Sequence, residues 1–262
     1  MKQKAKLAQE QAVQEGTHHG KKSSHRRKIS RGGKKVIVVA AVAAAVCLAF
    51  VFVEKRSYHS YKVLNTSEQE DVVSTQYVEM DGDILRYSPD GVSVVDASMN
   101  TVWNETYTMQ NPIADVNGSR AVVADSEGTS LYICDKKGVT GTVTTSYSIV
   151  KVRIAANGMV AAILDNDENT WINFYNPDGS LAAENLTKID DPGYPLDVAV
   201  ADNGNIMMVA YQYVDGSETT SYVAFYNFGD VGQSEDDRIV SGYTYEGTVI
   251  PQIMYLNGGK SL

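Results

Sequence analysis

Hydrophobic positions fall into two regimes along the chain. From Val36 to Val53, 18 apolar residues follow one another with no polar side chain beyond the thiol of Cys47. A helix over that run is about 27 Å long at 1.5 Å per residue, close to the roughly 30 Å hydrocarbon core of a bilayer. The run therefore predicts one transmembrane helix. Beyond it, apolar residues alternate with polar ones in short segments. Val150, Val152 and Ile154 form one set; Leu196, Val198 and Val200 form another, continued after a turn by Ile206, Met208 and Ala210. This period of two predicts half-buried strands. Turns punctuate the strands at Asp81-Gly82, Asn117-Gly118, Asn157-Gly158, Asn203-Gly204 and Asn257-Gly258, with glycines 36, 40, 46 and 54 residues apart. Asn-Gly and Asp-Gly supply the positive φ angles of tight hairpins. A second turn recurs as YSPDGV (Tyr87–Val92), CDKKGV (Cys134–Val139) and YNPDGS (Tyr175–Ser180). Four strands per unit of about 40–50 residues, repeated, predict β-propeller blades. They are expected over 72–111, 112–149, 150–195 and 196–250.

Pro251–Leu262 supplies one further strand and its Asn-Gly turn, a partial fifth blade. A propeller must hide its strand edges. The pattern thus predicts a C-terminally truncated copy of a larger ring. The alternative is a last strand that pairs with the segment before Val72 and closes a small ring.

Charge orients this arrangement. Residues 1–35 hold 11 Lys and Arg against Glu10 and Glu15, a net +9; the whole chain is −9, so residues 36–262 carry −18. Clustered Lys and Arg stay on the cytoplasmic side, which puts the N-terminus inside and residues 54–262 outside. A cleaved signal peptide needs a shorter apolar core and a small-residue cleavage site; here Phe50, Val51, Phe52 and Val53 run straight into Glu54. Cys47 follows Val46 and precedes more apolar residues, which speaks against lipidation. Ala41, Ala45 and Ala49 form a small-residue stripe, most simply a result of abundant alanine. The domain plan is a basic disordered tail over 1–35, a span over 36–53, a polar stalk over 54–71 and an external propeller over 72–262.

VVDASMNTVWNE (Val94–Glu105) resembles the Asp-to-Trp turn of the quinoprotein-like (PQQ/WD40-type) propellers. A basic tail, one span and a Tyr-rich external propeller together resemble an uncharacterised family of membrane-anchored proteins in Gram-positive bacteria. Only the first blade has the Trp turn; the second and third carry Thr142-Val143 and Ala182-Ala183 instead. The resemblance implies a fold and a cell-membrane location, and brings no catalytic residue with it.

Chemistry-bearing residues are sparse. His18, His19 and His25 sit in the basic tail, where cations are repelled, and His59 lies in the stalk, so the propeller has no histidine. That removes Ser–His–Asp and Cys–His arrangements from it, and with them the commonest transition-metal ligand. Cys134 is the only external cysteine, expected as a buried small hydrophobe. Asp165, Asp167 and Asn169 have the 1-3-5 spacing of a calcium loop, but Thr170 and Asn176 stand where a Gly and a bidentate Glu belong. The simpler reading is a solvated turn. Asp125/Glu127 and Asp215/Glu218 are expected at equivalent positions on one face of the ring, a loose acidic rim. Thr170-Trp171 matches only the end of an aspartate box, with Asn166 and Glu168 off its pattern. Tyr211, Tyr213, Tyr243 and Tyr245 alternate with polar residues and are read as packing residues.

No catalytic, cofactor-binding or metal-binding residue is expected, and no cofactor. The reading is a non-enzymatic binding or scaffolding module at the cell envelope of a Gram-positive bacterium, anchored by one N-in span. Its ligand is expected to be a protein, peptide or polysaccharide; acidity argues against nucleic acid. The alternative is an envelope hydrolase or lyase whose carboxylates meet at the propeller centre, signalled by three or more acids with raised pKa values. A third reading is a gene fragment without function.

Overall fold

The computed structural model describes residues 31–55, 63, 74–188, 192–256 and 260–261. It divides into two units, Met1–Leu64 and Asn65–Leu262. The first contains the helix α1 (Arg31–Glu54, 24 residues), which covers the apolar run. The side chains described along it are those of residues 40–52, and all are exposed. Among the described residues no helix is long and apolar enough to cross a membrane. Most of the expected stalk, with His59, and most of the basic tail lie outside the described residues.

The second unit is all β: four four-stranded antiparallel sheets, each in the strand order of the sequence. The first holds β1–β4 (Gln76–Met80, Asp83–Ser88, Gly91–Val95, Thr101–Thr106) and the second β5–β8 (Pro112–Asn117, Arg120–Asp125, Ser130–Asp135, Gly138–Thr144). The third holds β9–β12 (Ser148–Ile154, Val160–Asp165, Thr170–Tyr175, Leu181–Thr187) and the fourth β13–β16 (Tyr194–Val200, Ile206–Asp215, Glu218–Asn227, Ile239–Tyr245). These meanders are consistent with propeller blades. The leading strands β1, β5, β9 and β13 lie next to one another in turn, so each blade packs against the one before.

Blade seams are where the core sits. Leu85, Val94, Ala121, Val123 and Cys134 join blades one and two; Val122, Leu131, Ile149, Val160 and Leu164 join two and three. Ile163, Phe174, Val198, Met207 and Tyr211 join three and four. Because inner sheets are covered on both faces, their strands lose the alternation of half-buried ones. Val198 and Val200 share a cluster with Met207, Val209 and Tyr211, whereas Met208 and Ala210 lie with Ala199 on the opposite face. The expectation that Met208 and Ala210 continue the Val198 face is therefore corrected. Two other outliers have a local cause. Val150 and Leu196 sit at register shifts in β9 and β13, and each bulge turns its residue out of the alternation.

The hairpin turns behave as their residues require. Asp81 and Gly82 adopt φ of 50° and 84°, and Gly118, Gly158 and Gly204 are also left-handed. Asn257-Gly258 lies outside the described residues, between β17 (Tyr255–Leu256) and β18 (Lys260–Ser261), which pair with each other. The second recurring turn needs correction. YSPDGV joins β2 to β3, while CDKKGV and YNPDGS join third strands to fourth strands. A shared Pro-Asp-Gly signature reports a tight turn and not a position within the blade.

One close approach fixes a seam. A Cβ at Gly141 would lie 2.5 Å from backbone atoms of Asp178 and Gly179, so only glycine lets β8 pass under the β11–β12 turn. Next to it, the Thr140 hydroxyl donates to the Pro177 carbonyl at 2.8 Å.

Candidate functional site

The leading strands carry the charged residues that meet between blades. Asp115 is on β5, Lys151 and Arg153 on β9, and Asp197 on β13. Asp197 is fully buried, and its Oδ1 lies 3.2 Å from Lys151 Nζ and 3.4 Å from Arg153 Nη2. Its Oδ2 accepts the Ile253 N–H at 2.9 Å. Asp115 repeats that device one seam earlier: its Oδ2 accepts the Ile154 N–H at 2.8 Å, with Arg153 Nη1 4.0 Å from Oδ1. Each carboxylate thus holds a backbone N–H beyond its own blade. Burial pushes the Asp115 carboxyl above its ordinary value, opposed by the Ile154 N–H and Arg153.

Of these, Asp115 and Arg153 border a cavity of about 360 Å³ that Asn117, Asp202 and the segment Gln252–Tyr255 complete. Asn117 Nδ2 donates to Asp202 Oδ1 at 3.0 Å, tying blade two to blade four. The cavity's charged groups are the Asp115–Arg153 pair and Asp202, which is held by Asn117. It matches neither the cluster of three acids with raised pKa values expected of a hydrolase nor an apolar, hydroxyl-lined channel. In the sequence Asp115 and Asp197 are each a single acid inside an apolar strand, and that placement is the only sign of them.

The acidic turns take the expected equivalent places. Asp125/Glu127, Asp165/Asp167 and Asp215/Glu218 all stand at the connection between second and third strands. Antiparallel order puts those connections at one end of the sheets. Asp165 does not face an open site: Oδ1 accepts the Asp167 N–H at 2.7 Å and Oδ2 accepts the Tyr194 hydroxyl at 2.9 Å. Asn166 Oδ1 accepts the N–H groups of Glu168 and Asn169. Among the described residues no group of three or more His, Cys, Asp or Glu is placed to hold a metal ion. Cys134 is buried, and burial pushes its thiol up to about 12.

A second cavity, of about 340 Å³, opens at the seam between blades three and four. Its outer wall is the connection from β15 to β16. Third-to-fourth connections span residues 96–100, 136–137 and 176–180 in the first three blades, but 228–238 in the fourth. That longer stretch holds two short 3-10 turns, Asp230–Ser234 and Asp236–Arg238. Asp237 and Arg238 are both left-handed, with φ of 53° and 61°. The Arg238 guanidinium carbon lies 5.7 Å from the centroid of Phe228, whose ring stacks on Phe174 at 4.5 Å. Asn185 Nδ2 donates to the Tyr226 hydroxyl at 3.3 Å, and Tyr226 in turn shares a 2.7 Å hydrogen bond with buried Tyr211. The packing role expected of Tyr211 holds; Tyr243 and Tyr245 are exposed on β16.

A family model described as "Family of unknown function (DUF5711)" matches residues 54–262. No curated protein matches the chain. Among solved structures, hydrazine synthase of Kuenenia stuttgartiensis is similar at a TM-score of 0.51 and 14% identity, over 76% of this chain and 57% of that one. The WD40 domain of Neurospora crassa Pan2 is similar at 0.46 and 11% identity, over 69% and 54%. The WD40 domain of Toxoplasma gondii coronin is similar at 0.46 and 13%, over 72% and 50%. The chain thus spans about half the length of these structures. At such identities the likeness concerns the fold alone, and the four four-stranded meanders are consistent with propeller blades.

Proposed function

The chain belongs to the DUF5711 family of unknown function, and we propose that it is a non-enzymatic binding or scaffolding module held at the outer face of a cell membrane. The observation that carries this reading is the use made of one buried and one half-buried carboxylate on the leading strands. Asp197 and Asp115 are each occupied by a backbone N–H and a neighbouring cation, which suits holding blades together more than proton transfer. The anchor is proposed from the sequence: Val36–Val53 is an unbroken apolar run long enough for one span, and within it the described residues from Ala40 to Phe52 are exposed, with Leu48 71% and Phe50 69% accessible. Such a surface is costly in water and matched to lipid tails. The N-in orientation rests on the +9 tail, and a Gram-positive envelope on the family resemblance. The partner is a protein, peptide or polysaccharide of that envelope, and a uniformly anionic one is disfavoured by the −18 carried by residues 36–262.

The test is cosedimentation of the detergent-solubilised full chain with insoluble envelope polysaccharide, with released reducing ends measured in parallel. The expected result is saturable retention without released sugar. Release of reducing ends that vanishes in Asp115→Asn would instead make the protein a hydrolase. Absence of retention would overturn the polysaccharide form of the reading.

A further inference from the structure

Each sheet ends on its fourth strand, and the four end strands differ in what guards their free edge. A row of unpaired N–H and C=O groups is a template for another strand, and charged residues on the edge are a common safeguard. β4 carries Glu105 and β12 carries Glu184. β8 has no charge, but the β11–β12 turn crosses it at Gly141. β16 (IVSGYTY) has neither protection: it holds no charged residue, and among the described residues β15 is its one strand partner. A register shift between Phe225 and Tyr226 precedes its regular stretch, Ser241–Tyr245. A Cβ at Gly242 would collide with the Tyr222 hydroxyl, which belongs to the seam with blade three. Ser241, Tyr243 and Tyr245 therefore face the opposite side. There Tyr243 is 58% and Tyr245 44% exposed, and Tyr243 meets the Phe225 ring edge-on at 6.2 Å. Val249, 50% exposed, extends this surface, because Ser221, which is paired with Tyr245, holds the Thr248 carbonyl and the Ile250 N–H. From Ile239 to Leu256 the sequence has one charged residue, Glu246.

We propose that β16 is a self-association edge, at which two copies of this chain pair their β16 strands antiparallel about a two-fold axis at Tyr243. Charge selects the occupant. Copies of a segment that carries −18 repel each other over most of their surface and can meet only where neither presents a carboxylate. Tyrosine enrichment with depletion of charge is also the composition of interface cores. A strand paired with itself antiparallel is isologous, the symmetry most homo-oligomers adopt. In the register centred on Tyr243, Ser241 stands opposite Tyr245 of the second copy, and Tyr243 opposite its own counterpart, an aromatic cross-strand pair. Glu246 then falls opposite Val240, so no carboxylate meets another. The two blades become one eight-stranded sheet with four tyrosines on one face. A single strand pairing falls short of the roughly 800 Å² per partner of a standard interface, so the dimer is weak and concentration-dependent.

The experiment mixes two differently tagged full chains in detergent, each in a Cys47→Ala background, one with Ser241→Cys and the other with Tyr245→Cys. Pairing in the stated register brings these two positions to a Cα separation of about 4.5–5.5 Å, within disulfide reach. Two copies of either variant alone hold their cysteines about 13 Å apart or more along the strands, out of reach. On mild oxidation the mixed disulfide is expected to exceed both self-pairs by about tenfold or more. Adding Tyr243→Glu to both copies sets two carboxylates opposite each other on the axis and should lower that yield about tenfold, whereas Tyr243→Phe should leave it unchanged. Tyr243 is exposed, and a melting curve for each variant verifies that the blades remain folded. Self-pairs as abundant as the mixed disulfide, or a mixed yield that Tyr243→Glu leaves unchanged, would overturn the proposal, since copies held together elsewhere, through α1 for example, meet at β16 without register. Absence of any cross-link at the highest concentration reached would overturn it as well.

Discussion

Removing the Asp197 carboxylate should loosen the seam between the fourth blade and the segment that follows it. In Asp197→Ala the Ile253 N–H loses its 2.9 Å acceptor at a buried position, which costs about 1–3 kcal/mol. Lys151 and Arg153 lose a partner that is 0% exposed. Breaking a fully buried pair costs about 3–5 kcal/mol, but these two cations are 29% and 27% exposed and can turn toward water, so most of that figure does not apply. The sum expected is about 3 kcal/mol. Asp197→Asn keeps an oxygen for the Ile253 N–H and should cost about half as much, ~1–2 kcal/mol. For a folded unit of this size each kcal/mol moves the melting point by roughly 2–4 °C, so the alanine variant should melt ~6–12 °C lower. Circular dichroism near 215 nm follows the sheets through the transition, and amide exchange at Ile253 reports the bond itself. An alanine variant within about 0.5 kcal/mol of the parent, or an asparagine variant as unstable as the alanine one, would refute the reasoning.

Three further outcomes follow from the same geometry. Burial raises the Asp115 carboxyl, so the folded state holds that proton more tightly than the unfolded chain. Its contribution is therefore fully present below the ordinary carboxylate value and is lost as pH rises toward the raised one; denaturation midpoints from pH 3 to 7 should show this component in the parent and not in Asp115→Asn. Gly141→Ala drives a methyl into the Asp178–Gly179 backbone and should cost about 2–3 kcal/mol in urea unfolding, whereas Gly216→Ala, with open space around it, should cost only the left-handed strain. In a Cys47→Ala background the Cys134 thiol, buried and pushed up to about 12, should react with a disulfide reagent at pH 8 only as fast as the blades unfold; immediate labelling would contradict its placement.

The blades were legible in the sequence because hairpin turns are local chemistry. Asp-Gly and Asn-Gly at fixed places within each repeat mark the first hairpin of every blade, and the four expected blades overlay the four sheets. Facing was less legible. A strand covered on both sides has no polar phase to read, so the alternation puts Met208 and Ala210 on the wrong face, and bulges at Val150 and Leu196 shift the phase where alternation does hold. Acid placement was legible where it depended on turns, as at Asp125, Asp165 and Asp215. Asp115 and Asp197 were not, because their meaning lies in residues 39 and 56 positions away. The seam cavity escaped for the same reason: its wall reads as an irregular polar loop until Arg238 is seen over Phe228.

The proposed role requires that the apolar run Val36–Val53 cross a membrane and that the blades lie on its outer side. Labelling intact cells with a membrane-impermeant maleimide tests this directly, using Ser217→Cys on the exposed β14–β15 turn and Ser23→Cys in the basic tail, each in a Cys47→Ala background. The account predicts that position 217 labels in intact cells while position 23 labels only after lysis. Labelling at 23 with protection at 217, or protection of both until lysis, would contradict it.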